Sequence, residues 1–556
     1  MDKTTLVIRN ARVLTMDPDT PRAQAVAVAG NRIAALGTDE EMLALAGPDT
    51  RIIDAEGGTL LPGFVESHLH LFSGGAGLTM LQLAEVSGRA ALTRAIRDYA
   101  AEKPDEGLLI CQGAPYDILG GDAEPDRHVL DQILADRPLI VMAFDFHTAW
   151  ANTVALDKAG LLDGAEMEDG NEVVMGEDGR ATGALHEKGA IGPVLDLRTS
   201  GGREMLGMSG REPASPPTPE ERAEDIQMIR AGLRHCAAAG ITSIQNMDGN
   251  HYTLDLLREI RAAGDLTARV EVPYHLTADK PLSALDEASA MSAEFNDEML
   301  CSGRVKIFVD GVIESGTAVF VRDYATRPGH KGTPLFSARA FCDAAIEADR
   351  RGLQISVHAI GDGAVRITLD GYQAAAEANG PRDSRHRIEH IELITEEDLP
   401  RLAQLGVIAS LQPLHPPGVR GEGIEPAASA IGKDRWPLAY AWRRILDTGA
   451  DYCFASDWPI VPVEPLLSIG TALQRKPWGP DMPDQRVMLD ELLEGYTWRG
   501  ARAGFAEDRV GRIRPGMLAD LVLLPEDPHD MAPEDIARMT PRLTLCDGRV
   551  THEADA

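Results

Sequence analysis

The sequence is poor in basic residues. Its 556 residues include 54 Lys and Arg against 87 Asp and Glu, which gives a formal net charge of −33 at pH 7. A negative field of this size repels phosphate backbones and anionic membrane surfaces, so neither nucleic-acid binding nor membrane binding is expected. The acidic residues are spread along the chain rather than collected in a tail, which is typical of a solvated surface.

Cysteines are also few, and their spacing fits neither a disulfide framework nor a zinc site. The six are scattered and include no Cys-x-x-Cys pair: Cys111, Cys236, Cys301, Cys342, Cys453 and Cys546. Such spacing is typical of reduced thiols. The sequence has no run of about 18 uncharged apolar residues, and its first residues are too polar for a secretory signal. We therefore expect a cytoplasmic protein.

The length allows a barrel domain and at least one further domain, since a (β/α)₈ barrel takes roughly 250 residues. Short apolar runs with turn signals occur at both ends of the chain, and Gly30-Asn31 is a plausible hairpin turn between two of them. This pattern predicts an α/β protein: a (β/α)₈ TIM barrel with an inserted subdomain, plus a small β-sandwich domain formed by both termini. The predicted bounds are 1–58 and 506–556 for the β-sandwich, and 59–505 for the barrel with its insertion at about 82–225.

Apolar runs of strand length alternate with helical or loop-length spans, which is the order expected of a parallel sheet built from βα units. The eight strand candidates are 60–67, 241–247, 269–275, 305–310, 354–358, 387–391, 407–411 and 452–456. Helices are predicted at 338–351 and 396–405. The gap after the first strand is about 170 residues, too long for a structureless loop. Within it, Thr218-Pro219 favours a helix start.

Histidines and an aspartate lie at the ends of four of these strand candidates. His68 and His70 have an i, i+2 spacing, which points both imidazoles to the same face of a strand. His358, His390 and Asp457 follow later apolar runs, separated by about one and about two βα units. This set of nitrogen and oxygen ligands predicts a divalent metal site. Zn²⁺ suits it best, and Fe²⁺, Mn²⁺, Ni²⁺ and Co²⁺ are alternatives.

The segments around these residues resemble the signature segments of amidohydrolases. They are Pro62-Gly-Phe-Val-Glu-Ser-His-Leu-His, His358-Ala-Ile-Gly-Asp-Gly-Ala, Arg387-Ile-Glu-His and Ala455-Ser-Asp-Trp-Pro. The sequence resembles more narrowly the amidohydrolase 3 branch, which includes N-substituted formamide deformylases. Segments 145–152 and 176–183 are similar to the insertion of that branch, and 514–522 is similar to its closing β-domain. The resemblance covers nearly the whole chain.

The resemblance implies a metal-ligand set of His68, His70, Lys306, His358, His390 and Asp457. Lys306 matches a lysine that many relatives carboxylate to bridge two metals; the alternative is an unmodified lysine paired with Asp310. With two metals, His68, His70 and Asp457 would hold the buried ion and His358 and His390 the outer one. With one metal, His390 would instead polarise the substrate carbonyl. Asp457 is the expected general base and then acid.

The resemblance also implies the reaction, hydrolysis of a C–N bond in a small amide, N-substituted formamide or cyclic amide by metal-activated water. His147, Glu314 and Trp458 are the candidate substrate contacts, and a homodimer is the expected assembly. One alternative is a deaminase of a heterocycle, although the residues after His358 lack the His-x-x-Glu pattern expected of one. The other is a non-catalytic regulatory protein that retains the fold.

Overall fold

A computed structural model describes residues 3–104, 106–120, 124–143, 148–167, 171–198, 200–421 and 423–554, apart from the side chains of 187 and 188. The chain divides into two compact units. The first comprises Met1–Leu71, Gly207–Glu212 and Gly232–Ala556, and the second comprises Phe72–Leu206 and Pro213–Ala231.

Eight core strands of the first unit, numbered here in chain order, run parallel to their neighbours. They are β1 (Phe64–Leu69), β2 (Ile241–Asn246), β3 (Arg269–Glu271, resuming at Tyr274–His275), β4 (Leu300–Cys301, resuming at Arg304–Phe308), β5 (Gln354–Ala359), β6 (Arg387–His390), β7 (Ile408–Leu411) and β8 (Tyr452–Phe454). Each strand pairs with the next along the chain. A parallel bridge joins Leu69, at the end of β1, to Trp458 after β8. The fold is TIM-barrel-like.

Helices follow the core strands in the order that βα units require. The α-helices within the first unit are Asp39–Leu43, His251–Ala262, Leu285–Glu294, Ala338–Arg350, Asp362–Asn379, Leu399–Gln404, Ala427–Ile431, Trp442–Asp447, Pro465–Gln474, Leu489–Gly495, Trp498–Ala503 and Pro533–Ile536. Short 3₁₀ helices lie at Gly207–Ser209, Leu282–Ala284, Trp436–Leu438 and Pro528–Asp530. The predicted helix at 338–351 is therefore confirmed, whereas the one predicted at 396–405 is shorter.

The two ends of the chain form two further sheets in the first unit. In spatial order, one contains Arg32–Gly37, Ala25–Ala29, Thr4–Arg9 and Arg51–Asp54, and the other contains Arg549–Glu553, Leu543–Cys546, Leu521–Leu524, Thr59–Pro62, Arg12–Leu14 and Arg22–Ala23. One hydrophobic cluster draws buried residues from both sheets, among them Ile8, Val26, Leu521 and Leu545. The predicted two-residue turn at Gly30 is confirmed, since Ala29 pairs with Arg32 across it.

The strand predicted at 60–67 is wrong as a single element. Thr59–Pro62 pairs with Leu521–Leu524 in the second terminal sheet, whereas Phe64–Leu69 is β1. The division falls at Gly63, where a Cβ atom would lie 2.3 Å from two side-chain atoms of Thr242. Only a glycine at position 63 allows the chain to pass this close to Thr242. An apolar run alone does not reveal that constraint.

The second unit is built on a six-stranded sheet. Its strands are, in spatial order, Glu172–Met175, Ala181–His186, Thr148–Ala151, Leu139–Ala143, Leu109–Ala114 and Leu81–Gln82. Its helices are Arg89–Glu102, Arg127–Ile133, Thr153–Lys158, Glu187–Leu195 and Arg203–Leu206, and the helices Leu71–Gly77 and Pro219–Ala238 cross the division between the units. Pro219–Ala238 starts where predicted, because the Thr218 hydroxyl accepts a hydrogen bond from the Glu221 N–H.

Within the part of the chain that the structure describes, no helix is long and apolar enough to cross a membrane.

Candidate active site

The predicted ligands from β1, β5, β6 and β8 lie at the carboxyl ends of these strands. His68 is the second-to-last residue of β1, and His70 directly follows that strand. His358 is in β5, His390 ends β6, and Asp457 lies just after β8. All five are buried, with at most 8% of their surface exposed. Because the strands are parallel, their carboxyl ends share one edge, where residues far apart in sequence meet.

Two imidazoles converge on one carboxylate oxygen. The Nε2 atoms of His68 and His70 lie 3.2 and 3.1 Å from Oδ1 of Asp457. The backbone holds this arrangement, since the Asp457 N–H donates to the His68 carbonyl (2.8 Å) and the His70 N–H donates to the Trp458 carbonyl (2.7 Å). Asp457 adopts a positive φ of 66°, a conformation that tends to be retained at functional sites.

The buried carboxyl group of Glu66 links β1 to the segment after β8. Oε1 of Glu66 accepts hydrogen bonds from the backbone N–H groups of His68 (3.1 Å) and Ser456 (2.9 Å). Burial raises the pKa of Glu66 to about 8. Glu66 therefore acts on the site through the backbone that carries His68 and Asp457.

His390 and His358 complete the cluster. The His390 ring lies 5.1 Å from the ring of His68 and 4.5 Å from that of His358. One ligand atom each from His68, His390 and Asp457 lie within 4.8 Å of one another, a group able to hold a metal ion. Burial lowers the pKa of His358 to about 3, so His358 is neutral, the form in which imidazole binds metals.

In three of the histidines, an oxygen atom within hydrogen-bond distance of Nδ1 orients the ring. The pairs are His68 with Glu389 (2.8 Å), His70 with Asp248 (2.7 Å) and His390 with Gln412 (3.1 Å). In a neutral imidazole, an oxygen at this position favours the proton on Nδ1 and leaves the Nε2 lone pair for a metal. Metal-binding histidines have the same second interaction, so the donor set fits a divalent ion.

The spacing of the ligand atoms fits as well. Zinc lies about 2.0–2.2 Å from histidine nitrogens and carboxylate oxygens, so tetrahedral ligands are about 3.3 to 3.6 Å apart. The distances of 3.2 and 3.1 Å from Asp457 to His68 and His70 are close to this value. Despite burial, which opposes ionisation, His68 and His70 hold the pKa of Asp457 well below its usual range. Asp457 is therefore a carboxylate, the form that binds metals.

Lys306 is the fourth-strand residue of the predicted set. It is fully buried in β4, with Nζ 4.9 Å from the centre of the Phe308 ring. Nζ has no hydrogen-bond partner among the described residues. Burial lowers the pKa of Lys306 to about 8, although the charges of Glu389 and Asp457 oppose the shift. A fraction of this amine is neutral near pH 7, as carboxylation requires.

Asp310, the alternative partner of Lys306, has other contacts. Its carboxylate accepts hydrogen bonds from the backbone N–H groups of Val319 (2.8 Å), Ile360 (3.0 Å) and Gly361 (2.9 Å). These bonds join the loop after β4 to the loop after β5. Asp310 thereby has a structural role of its own.

Two of the three candidate substrate contacts, Glu314 and Trp458, lie among the described residues. Glu314 is exposed in the loop after β4. Trp458 is buried and its ring lies 5.5 Å from that of His235. His147 lies outside the described residues. Their roles stay predictions.

The sequence patterns missed the residues that support this cluster from neighbouring strands. Glu389 is in β6, Asp248 follows β2, and Gln412 and His415 follow β7. Each lies at or near the carboxyl end of a core strand, and that position is the signal that could have found them. Gln412 and His415 lie in a polar loop after β7, where no apolar run marks them.

Comparison with known proteins identifies the family of the chain. A family model described as "Amidohydrolase family" matches residues 51–552. The chain is 28% identical over 544 residues to the Protein LONG AFTER FAR-RED 3 of Arabidopsis thaliana, covering 96% of this chain and 89% of that protein. It is 26% identical over 560 residues to the N-substituted formamide deformylase of Arthrobacter pascens, covering 99% and 98%.

A solved structure described as an uncharacterized metal-dependent hydrolase from Pyrococcus furiosus superposes with a TM-score of 0.73 at 25% identity, covering 94% of this chain and 99% of that one. The chain belongs to the amidohydrolase family. It is a metal-dependent hydrolase that acts on C–N bonds.

Proposed function

We propose that this hydrolase cleaves the C–N bond of a small amide, namely an N-substituted formamide, another amide or a cyclic amide. The observation that carries the proposal is the convergence of His68 and His70 on Oδ1 of Asp457, with His390 beside them. The relative from Arthrobacter pascens, named for deformylation of N-substituted formamides, supports this substrate class.

The metal would be zinc, held by the ligands predicted from the sequence. His68, His70 and Asp457 would bind one ion, His358 and His390 a second, and Lys306, carboxylated, would lie between them. The burial of Lys306 and the lack of a hydrogen-bond partner for its Nζ within the described ranges support the modification. When bound, such a metal lowers the pKa of water and polarises the substrate carbonyl.

The protein's own part in catalysis is to move one proton. Asp457 Oδ2 accepts a proton from the attacking water and passes it to the nitrogen that leaves. The C–N bond breaks, the acyl carbon gains the water oxygen, and the products are a carboxylic acid and an amine. In a one-metal form, His390 would instead polarise the carbonyl oxygen.

The architecture around the site is also inferred. We infer that β1 to β8 close into a (β/α)₈ barrel, because each strand pairs with the next and Leu69 bridges to Trp458. The cluster shared by the two terminal sheets supports a β-sandwich. The domain bounds, the homodimer and the cytoplasmic location stay predictions.

The test is turnover by the metal-loaded chain on a panel of N-alkylformamides, N-acyl amines and cyclic amides, followed by release of the amine or opening of the ring. We expect activity on at least one class. Asp457→Asn should lower kcat about 10²-fold or more, the usual contribution of an acid–base group. Asp434→Asn is the matched control, because Asp434 is 66% exposed and paired with Arg322. No turnover on any class would contradict the proposal.

A further inference from the structure

Phe308 is an aromatic residue among the predicted metal ligands. It ends β4, two residues after Lys306, so the two side chains point to the same face of the strand. The centre of its ring lies 4.9 Å from Nζ of Lys306 and 4.7 Å from the centre of the His358 ring. Phe308 thus adjoins the proposed metal site, and the proposed reaction gives it no role.

The ring of Phe308 is held in place but is not fully covered. Phe308 pairs with His358 of β5, and the Val309 N–H donates to the His358 carbonyl at 3.1 Å. The His275 ring packs nearby, with ring centres 5.4 Å apart. Phe308 is nevertheless partly exposed, whereas Lys306 and His275 are buried. Its ring therefore offers apolar surface that the described residues leave uncovered.

A second apolar side chain lies on the same side of the site. Val312 is 38% exposed in the loop after β4. It follows Gly311, whose carbonyl oxygen lies 3.2 Å from Nε2 of His358, the imidazole that the Phe308 ring contacts. Exposed apolar surface at a binding site favours apolar parts of a ligand, because contact removes both surfaces from water. This side of the site therefore suits a hydrocarbon group.

The position of Phe308 relative to Asp457 indicates which part of the substrate it meets. The strands that carry them, β4 and β8, are four strands apart in either direction. Three imidazoles lie between them in a series of contacts, from His358 to His390 to His68, which contacts Asp457. The nitrogen and the acyl group of an amide lie on opposite sides of its carbonyl carbon. A substrate whose leaving nitrogen faces Asp457 therefore directs its acyl group toward Phe308.

We propose that Phe308 determines substrate specificity by binding an apolar acyl group. This inference rests on the proposed amide hydrolysis and narrows it to amides of carboxylic acids longer than formic acid. A hydrocarbon acyl chain can cover the exposed surface of the Phe308 ring, whereas the single hydrogen of a formyl group is too short to do so. The contact contributes to substrate binding and leaves the proton transfer at Asp457 unchanged.

The test compares three substrates of the full metal-loaded chain. They are N-butylformamide, N-butylbutanamide, which has a longer acyl group, and N-octylformamide, which has a longer group on nitrogen. The wild-type chain should hydrolyse N-butylbutanamide. Phe308→Ala should lower kcat/KM for this substrate about 10-fold or more, mainly through KM, because apolar contacts with a substrate methylene have effects of this size. The same variant should change little on either formamide.

Phe505→Ala is the matched control, since Phe505 is 43% exposed after the helix Trp498–Ala503 and should keep the wild-type values on all three substrates. Metal content and thermal stability are measured for both variants. A binding measurement on the wild-type chain needs no variant and decides the question if Phe308→Ala does not fold. Calorimetry should show that the product acid butanoate binds about 10-fold more tightly than formate, because its longer chain buries apolar surface.

An equal effect of Phe308→Ala on all three substrates, no effect on any, or a loss confined to N-octylformamide would overturn this inference while the proposed function stands. Butanoate that binds no more tightly than formate, or wild-type turnover of formamides alone, would do the same. Absence of turnover of any amide by the wild-type chain would instead overturn the proposed function, and this inference with it.

Discussion

Glu389 supports the metal site from inside the core, and removing its charge should weaken metal binding. Its Oε2 lies 2.8 Å from Nδ1 of His68, and its carboxylate forms an ion pair with Arg387 at 2.9 Å. Both Glu389 and Arg387 are fully buried. Although burial opposes it, the Arg387 charge holds the pKa of Glu389 well below its usual range. Glu389→Gln keeps the shape of the side chain and removes the charge.

Two effects of this substitution can be estimated. Loss of a group that orients a metal-binding histidine typically costs 10-fold to 100-fold in metal affinity. The glutamine oxygen can still accept from Nδ1 of His68, so we expect a value near 10-fold, or about 1.4 kcal/mol. The Arg387 guanidinium is left without its counter-charge, which should lower the free energy of unfolding by about 3–5 kcal/mol.

The assay is competition for zinc between the protein and a chelator of known affinity, with denaturant unfolding measured on the same samples. The control is Glu397→Gln, because the Glu397 carboxylate is 77% exposed and paired with Arg366. Zinc affinity within twofold of wild type in Glu389→Gln would refute the idea that Glu389 supports the metal through His68.

Three further outcomes follow from particular residues. Asp457→Asn should lose more in kcat than in zinc affinity, because His68 and His70 still bind the ion; an equal loss in both, measured by kinetics and chelator competition, would contradict its role as base. The Asp349 carboxylate accepts hydrogen bonds from the side chains of His386, Ser384, Arg382 and Asn379. Although burial opposes the shift, these bonds hold the pKa of Asp349 low. Asp349→Asn should therefore destabilise the protein above about pH 4, the unfolded value of an aspartate, and the difference from wild type should shrink as pH falls further. An unfolding difference that stays constant from pH 7 to pH 2 would contradict this. Gly63→Ala should cost about 1–3 kcal/mol by forcing a Cβ against Thr242, whereas Gly47→Ala, with its nearest atom 3.5 Å away, should be nearly neutral in the same unfolding assay.

Much of the core could be predicted from the sequence, because apolar periodicity marks parallel strands well. Seven of the eight strand candidates correspond to single core strands, two of them interrupted or extended in the structure. The remaining candidate, at 60–67, was wrong as a single strand, because the chain passes at Gly63 from a terminal sheet into β1. A Cβ atom at Gly63 would clash with Thr242, which is far away in sequence, so no local pattern contains this constraint.

The site was predictable where its residues follow strong strands. His68, His70, His358, His390 and Asp457 all lie at the edge where the sequence placed them. The residues behind them were not predictable, because Glu389, Asp248 and Gln412 act through tertiary contacts. From the sequence alone, a carboxylate or an amide in or just after an apolar strand is equally compatible with a purely structural role, because its partner is not known.

Metal dependence is tested most directly by removing and restoring the ion. Amide turnover and metal content would be measured on the purified chain, after exhaustive chelation and after addition of zinc. The mass of the chain or the electron density at Lys306 would report whether this lysine is carboxylated. We expect one or two ions per chain. Turnover should be lost when the metal is removed and should recover when zinc is added, and Lys306 should carry a carbamate when two ions are bound. Turnover that persists at full rate in protein free of metal would contradict the assignment of His68, His70 and Asp457 as the centre of catalysis.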